Sequence, residues 1–242
     1  MQAHTPLYYG VQGDKGREMI VEFAALIPKS IRNQSGAVFY SGRAAFSAPS
    51  RLYILGLNPG GSPQEMPDAT VEKHTEMVFG NPDNWSEYRD ESWHDGYGAG
   101  EYRMQPRVLY LLEKLHLDPG LTPASNVVFV RSRQAKDIKH DFEKYAECCW
   151  RFHEAVIERL NVRAILCLGR DAGNWVLDKY GLKNTKPYEI WMENNNRHWS
   201  NSSYISSSGM GIVVATHPGR ADWKNPDTDP SPLVRNMLDT LT

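Results

Sequence analysis

The chain has 242 residues, of which 40% are hydrophobic and 23% charged, with a formal net charge of −2 at pH 7. That length suits one sizeable domain, and the charge excludes a protein that coats nucleic acid over its whole surface, while leaving room for a local basic groove. No apolar run approaches the ~20 residues of a membrane span, no signal-peptide pattern is present, and Cys148, Cys149 and Cys167 are too few for a disulfide framework or an all-cysteine metal site.

In chain order, the apolar periodicity predicts an amphipathic helix over Asp14–Ile27 and then a strand over Leu52–Leu57. Gly80–Gly100, acidic, aromatic and punctuated by glycine, reads as a long loop or irregular hairpin. A helix over Gln105–His116 follows, with Val108, Leu109, Leu111, Leu112 and Leu115 on one side. The run Val127–Val130 predicts a second strand, Phe142–Leu160 the longest helix, Ala164–Leu168 a third strand and Asp171–Lys179 the helix after it. Trp191–Gly209 is crowded with Asn and Ser around two tryptophans and reads as a second long loop or irregular hairpin. Gly211–Ala215 predicts a fourth strand, and Pro232–Leu241 a closing helix capped by Ser231. No repeat of 20–50 residues is visible, which excludes solenoids and propellers.

Continuous Val/Ile/Leu runs imply strands covered on both faces, and their alternation with helices implies a doubly wound fold. The expected architecture is a single α/β domain over 1–242, a three-layer α/β/α sandwich with a central, mainly parallel four-stranded sheet. Inserted loops are expected at about 80–100 and 191–209. Reduced, buried thiols and a cytoplasmic location are expected with it.

Ligands of open parallel sheets bind beyond the carboxyl ends of the strands. After the first strand comes Asn58-Pro59-Gly60-Gly61; after the second come Arg131, Ser132 and Arg133. Gly169-Arg170-Asp171 follows the third, and Thr216-His217-Pro218-Gly219-Arg220 follows the fourth. The pattern contains no paired catalytic carboxylates, no nucleophile elbow, no phosphate loop and no metal-ligand spacing. Chemistry here would run on hydrogen bonds and dipoles. Taken singly, Asn-Pro-Gly is a common turn and a lone His before Pro a common loop residue; co-location at strand ends gives them weight.

These motifs resemble the uracil-DNA glycosylase superfamily over roughly residues 50–225. "GLNPG", Gly56 to Gly60, is similar to the first motif of the single-strand-selective and mismatch-specific branches, and "HPGR", His217 to Arg220, resembles the last. "CWRFHEAVIERLNVRAILCLGRDAG" between them is similar to the family's Cys-containing helix, strand and L-G-x-x-A segment. The resemblance implies a DNA N-glycosylase with catalytic Asn58 and His217. The first would hold the attacking water; the second would hydrogen-bond the departing base. It further implies base binding by Gly56, Leu57, Gly60, Phe79 and Ser132, with Tyr88 or Trp85 as other stacking aromatics. Arg131, Arg133, Lys136 and Lys139 form a basic stretch suited to phosphates, although a solvated loop has the same composition; Arg220 would be a wedge or phosphate clamp. DNA is the expected partner of a monomer. No cofactor is implied, and the iron–sulfur branches are not matched.

Two departures bear on specificity. Uracil-specific members carry a tyrosine where Gly60 stands, which blocks any group on the base's C5. Members that read uracil place Asn in a segment resembling "VFVxN", where this chain has "VFVRS" with Ser132, and a hydroxyl cannot reproduce an amide's paired reading of the base edge. Both departures point to a pyrimidine with a bulky 5-substituent, such as hydroxymethylated or glucosylated cytosine of viral DNA, and so to defence. Uracil excision in repair and a non-catalytic nucleic-acid-binding module on the same fold stay open beside it.

Overall fold

The computed structural model describes residues 11–241. Helix α1 spans Val11–Ala25 and turns Ile20 and Phe23 inward, where Phe23 meets the edges of Phe46 and Phe152 at 6.0 and 6.1 Å between ring centroids. Strand β1, Leu52–Gly56, is buried at every position. Helix α2, Val71–Gly80, starts where the Thr70 hydroxyl accepts the Lys73 N–H, a side-chain cap. The acidic stretch after it is ordered by its own side chains. It holds a short helix α3, Glu87–Asp90, and the indole N–H groups of Trp85 and Trp93 donate to Glu91 and Glu87 at 2.8 and 2.9 Å.

Helix α4 covers Gln105–Lys114, β2 Ala124–Asn126, α5 Ala135–Ile138 and α6 Phe142–Arg159. Strand β3, Ala164–Leu168, runs directly into α7, Arg170–Lys179. Strands β4, Glu189–Met192, and β5, Ser200–Ile205, precede β6, Gly211–Ala215, and α8, Ser231–Thr240, closes the described chain.

All six strands form one mixed sheet in the order β2-β1-β3-β6-β5-β4. Pairing is parallel from β2 through β1 and β3 to β6, and antiparallel from β6 through β5 to β4. The expected four-stranded sheet is therefore corrected to six strands. The two extra ones come from the Asn/Ser-rich segment, whose residues 189–205 form a hairpin. Sequence alternation sends strand neighbours to opposite faces. Tyr53, Leu55, Ile165, Cys167, Ile212 and Val214 join one buried cluster, and Leu52, Ile54, Leu166, Leu168, Val213 and Ala215 join another. Cys148, Cys149 and Cys167 are free thiols, and no described helix is long and apolar enough to cross a membrane.

Two local expectations shift. The second strand lies at Ala124–Asn126, three residues before the apolar run, because the polar Ser125 finds a partner inside the fold. The Ser125 hydroxyl donates to the Val38 carbonyl at 2.6 Å. The run that follows still bonds β1 through Val127 N–H to Gly56 O and Val128 N–H to Leu57 O, both 2.9 Å, before it leaves the sheet. At α8 the acceptor is Asp229 and not Ser231: its carboxylate takes the Ser231 N–H at 2.8 Å and the Ser231 hydroxyl at 2.9 Å. Asp229, one residue outside the Pro230 N-cap position, ties down the first residue of α8, and Asp229→Ala should destabilise the fold by ~1 kcal/mol through loss of these hydrogen bonds. Urea unfolding should show a lower midpoint at unchanged slope; an unmoved midpoint would contradict this anchoring role.

Candidate active site

The chain leaves β1 for β2 on one side and returns to β3 on the other, so the strand order reverses between β1 and β3. In open α/β sheets that reversal opens a crevice at the carboxyl ends. Asn58 stands two residues beyond β1, and His217 two beyond β6, on the far side of β3. Two strand spacings, roughly 10 Å, separate the strands that carry them.

Asn58 is held by its amide nitrogen, which donates to Pro59 O and Ser132 Oγ at 2.9 Å each and to Val130 O at 3.4 Å. Ser132 passes its own proton to Gln134 O at 3.0 Å, and its backbone N–H binds Pro59 O at 3.1 Å. The β1 and β2 loops are thereby laced together around one amide. No donor among the described residues takes Asn58 Oδ1, which is left as an available acceptor.

His217 is fixed through the other face of its ring. Its Nδ1 accepts the Gly219 N–H at 2.9 Å. Burial, and then the nearby Arg220 guanidinium, press its pKa down to about 4, against a smaller upward pull from Asp171. The imidazole is neutral at pH 7, and with Nδ1 accepting, the proton must sit on Nε2. Gly169 makes room for it: its φ is +103°, and a Cβ there would lie 3.2 Å from His217 Cβ.

The turn around His217 is braced from four directions. Asn201 Oδ1 of β5 accepts the Thr216 N–H at 2.6 Å, and Trp223 Nε1 donates to Thr216 O at 3.0 Å. Arg107 of α4 donates to Pro218 O and pairs with Asp222 at 3.2 Å. From the tip of the β4–β5 hairpin, Arg197 donates to Arg220 O at 2.6 Å and stacks over Trp199 at 4.2 Å.

The remaining predicted residues fall into three groups. Gly56, Leu57 and Gly60 lie on the β1 turn itself, and a Cβ on Gly60 would meet no atom within 4 Å. Arg131 is half-buried and committed to that turn, donating to Gly60 O and, at 3.2 Å, to Ser35 Oγ, whereas Arg133, Lys136, Lys139 and Arg220 are exposed and make no ion pair among the described residues. The aromatics lie deeper: Phe79 is half-buried in the last turn of α2 against the hydrophobic cluster, and Trp85 and Tyr88 are each 3% exposed.

One residue escaped the sequence motifs. Asn126 ends β2 beside Gly56 and is 6% exposed; its Nδ2 is buried with no hydrogen-bond partner. A Cβ on Gly56 would lie 2.1 Å from Asn126 Oδ1, so the motif glycine is required by this amide. The sequence carries no positional signal for it, because the apolar run that predicts the second strand begins one residue later, at Val127. Among the described residues, no group of three His, Cys, Asp or Glu side chains could hold a metal ion.

The geometry fixes how His217 titrates. Imidazole NMR should find the neutral Nε2–H form across about pH 5 to 8, with protonation near the depressed value of about 4. An inflection close to the ordinary 6.5, or an Nδ1–H tautomer, would overturn the arrangement. No known family model matches the chain, and no curated protein matches it.

Proposed function

We propose that the chain is a monofunctional DNA glycosylase on a uracil-DNA-glycosylase-like three-layer α/β/α domain. It acts as a cytoplasmic monomer on a flipped-out modified pyrimidine and leaves an abasic site. The observation that carries the reading is the pairing of a fixed acceptor, Asn58 Oδ1, with a neutral donor, His217 Nε2–H, on strands either side of a switch point.

The C1′–N1 bond breaks with its electron pair going to the base, and an oxocarbenium-like sugar remains. Charge on the departing base gathers on its C2 oxygen, which accepts the His217 Nε2–H bond. A neutral imidazole is suited to this, since it stabilises the anion without first having to be charged. Water held at Asn58 Oδ1 adds to C1′ and releases its proton to solvent; the base anion takes one from solvent. An amide is no general base, so bond breaking runs ahead of water attack and the reaction favours a good leaving group. Exposed Arg133, Lys136 and Arg220 meet phosphates, and Arg220 would fill the vacated stack.

Asn126 supplies the reading of the base edge that Ser132 cannot. Its amide offers a donor and an acceptor, which suits either a cytosine-like or a uracil-like edge according to its flip. That keeps uracil excision as the second reading. Gly60 favours the first, because the space beyond it is open where a C5 substituent would go. Viral DNA is a source of bases decorated in that way, and their removal would serve defence.

A panel of duplexes carrying uracil, 5-hydroxymethylcytosine or glucosylated cytosine, heated in alkali after incubation, tests the assignment. Cleavage of a modified pyrimidine is expected; cleavage of uracil alone would make the protein a repair enzyme, and none at all would make it a binding module. Asn58→Ala and His217→Ala should each slow single-turnover cleavage ~100-fold or more while DNA affinity holds. Gly60→Tyr should fold normally and abolish cleavage of the bulky substrate while sparing an unsubstituted pyrimidine. Equal loss on both substrates would remove Gly60 from specificity.

A further inference from the structure

A depression of about 370 Å³ opens beside the Asn58 turn, lined by Ser62, Gln64, Arg131, Ser132, Asp137 and Tyr145 among others. It belongs to neither the Asn58–His217 gap nor the buried core. Ser132 and Arg131 form a shared wall: the first holds the Asn58 amide, the second donates to Gly60 O. The hollow therefore begins at the two side chains that brace the Asn58–Gly60 turn.

Its chemistry is mixed in a particular way. Gln64 and Asp137 are exposed, and Ser62 is half-exposed with its hydroxyl donating to Gln64 Oε1 at 3.1 Å. Pro63, Ile138 and the half-buried ring of Tyr145 supply apolar surface, and the Tyr145 hydroxyl is anchored on Gln34 Oε1 at 3.2 Å. Hydroxyl, amide, carboxylate and guanidinium groups around an aromatic face match a ring with many hydroxyls: the polar groups pair with O–H bonds while the apolar face covers C–H bonds. A pocket of this volume sits at the small end of the ligand-site range of roughly 300–1,000 Å³, enough for one ring-sized group and too little for a further nucleotide. A phosphate would find Arg131 and Arg133 but would also face Asp137 and Asp141, which disfavour an anion.

We propose that this depression is a subsite for a neutral, polyhydroxylated ring, a sugar attached through the 5-position of the target pyrimidine. The inference rests on the glycosylase reading and names which modified base that site takes. The ring enters past Gly60, with Gln64 and Asp137 hydrogen-bonding its hydroxyls and Tyr145 against its apolar face.

The test uses the full chain and two duplexes that differ only in the appendage, 5-hydroxymethylcytosine and its glucosylated form. Gln64→Trp, which fills the hollow, and Asp137→Asn, which keeps the volume but removes the charge, are compared with wild type. On the glucosylated duplex each variant should raise KM about tenfold, one good hydrogen-bonded contact; on the hydroxymethyl duplex both should stay within about twofold of wild type. Equal effects on both duplexes, or no effect on either, would overturn the subsite and leave the glycosylase intact. Absence of abasic sites from the glucosylated duplex with wild type, where uracil is cleaved, would remove the sugar ligand; absence on every base would remove the glycosylase reading itself.

Discussion

The chemistry of the cleft depends on the direction of one amide. Asn58 could present either its oxygen or its nitrogen to a ligand, and the two are opposite in function. Its surroundings decide between them. Pro59 O and Val130 O are backbone carbonyls that can only accept, and the Ser132 hydroxyl has already given its proton to Gln134 O. All three demand a donor, so nitrogen faces the loops and oxygen faces away. Reversing the amide would set oxygen against three acceptors at hydrogen-bond distance, with each lost bond costing ~1 kcal/mol before repulsion. The orientation is thus a property of two strand ends held in register, and Pro59 and Ser132 matter through it.

His217 is oriented by the same logic with the signs exchanged. The Gly219 N–H can only donate, so Nδ1 must accept and Nε2 carries the proton. Burial and Arg220 then keep the ring neutral. His153 offers a comparison within the same chain. It is fully buried, and its pKa is pressed down to about 3 chiefly by burial, but both of its nitrogens are consumed, by the Tyr53 hydroxyl at 2.8 Å and Val127 O at 3.3 Å. Both groups prefer the neutral form when folded. Acid therefore favours unfolding: stability holds above the ordinary 6.5 and falls as pH drops towards about 4 for one and about 3 for the other. What separates the core histidine from the candidate donor is not the shift but the unspent Nε2–H.

Three of the six strands were plain in the sequence because β1, β3 and β6 are uninterrupted apolar runs buried at every position. Strand β2 was displaced by three residues because Ser125 and Asn126 look like loop residues until Val38 O and Gly56 come alongside them. For the β4–β5 pair the sequence offers a long loop or an irregular hairpin without deciding between them, because the pattern of the pair is inverted. Asn201 and Ser203 are wholly buried, while Tyr188, Ile190 and Met192 at the sheet edge are half exposed or more. No binary pattern signals a strand that turns asparagine inward. Residues of the candidate site divide likewise. Asn58 and His217 follow visible strands, whereas Asn126 owes its place to the register of a strand whose polarity concealed it.

That inverted pattern is what braces the His217 turn. A loop of this kind has backbone groups that must be satisfied somewhere. Here Asn201 reaches from the middle of β5 to the Thr216 N–H, so the buried asparagine that disguised the strand is the group that ties the turn to the sheet. Arg197 extends the hold to Arg220 O, and is itself set by Glu193, whose side chain is wholly buried and accepts from it at 3.2 Å. An isolated buried carboxylate is costly, and this one keeps one oxygen without a partner. A hairpin selected for stability alone would carry an apolar residue there. The carboxylate is explained if its task is to hold a guanidinium that holds a turn, fixing in advance the donor on which a leaving group's charge would settle.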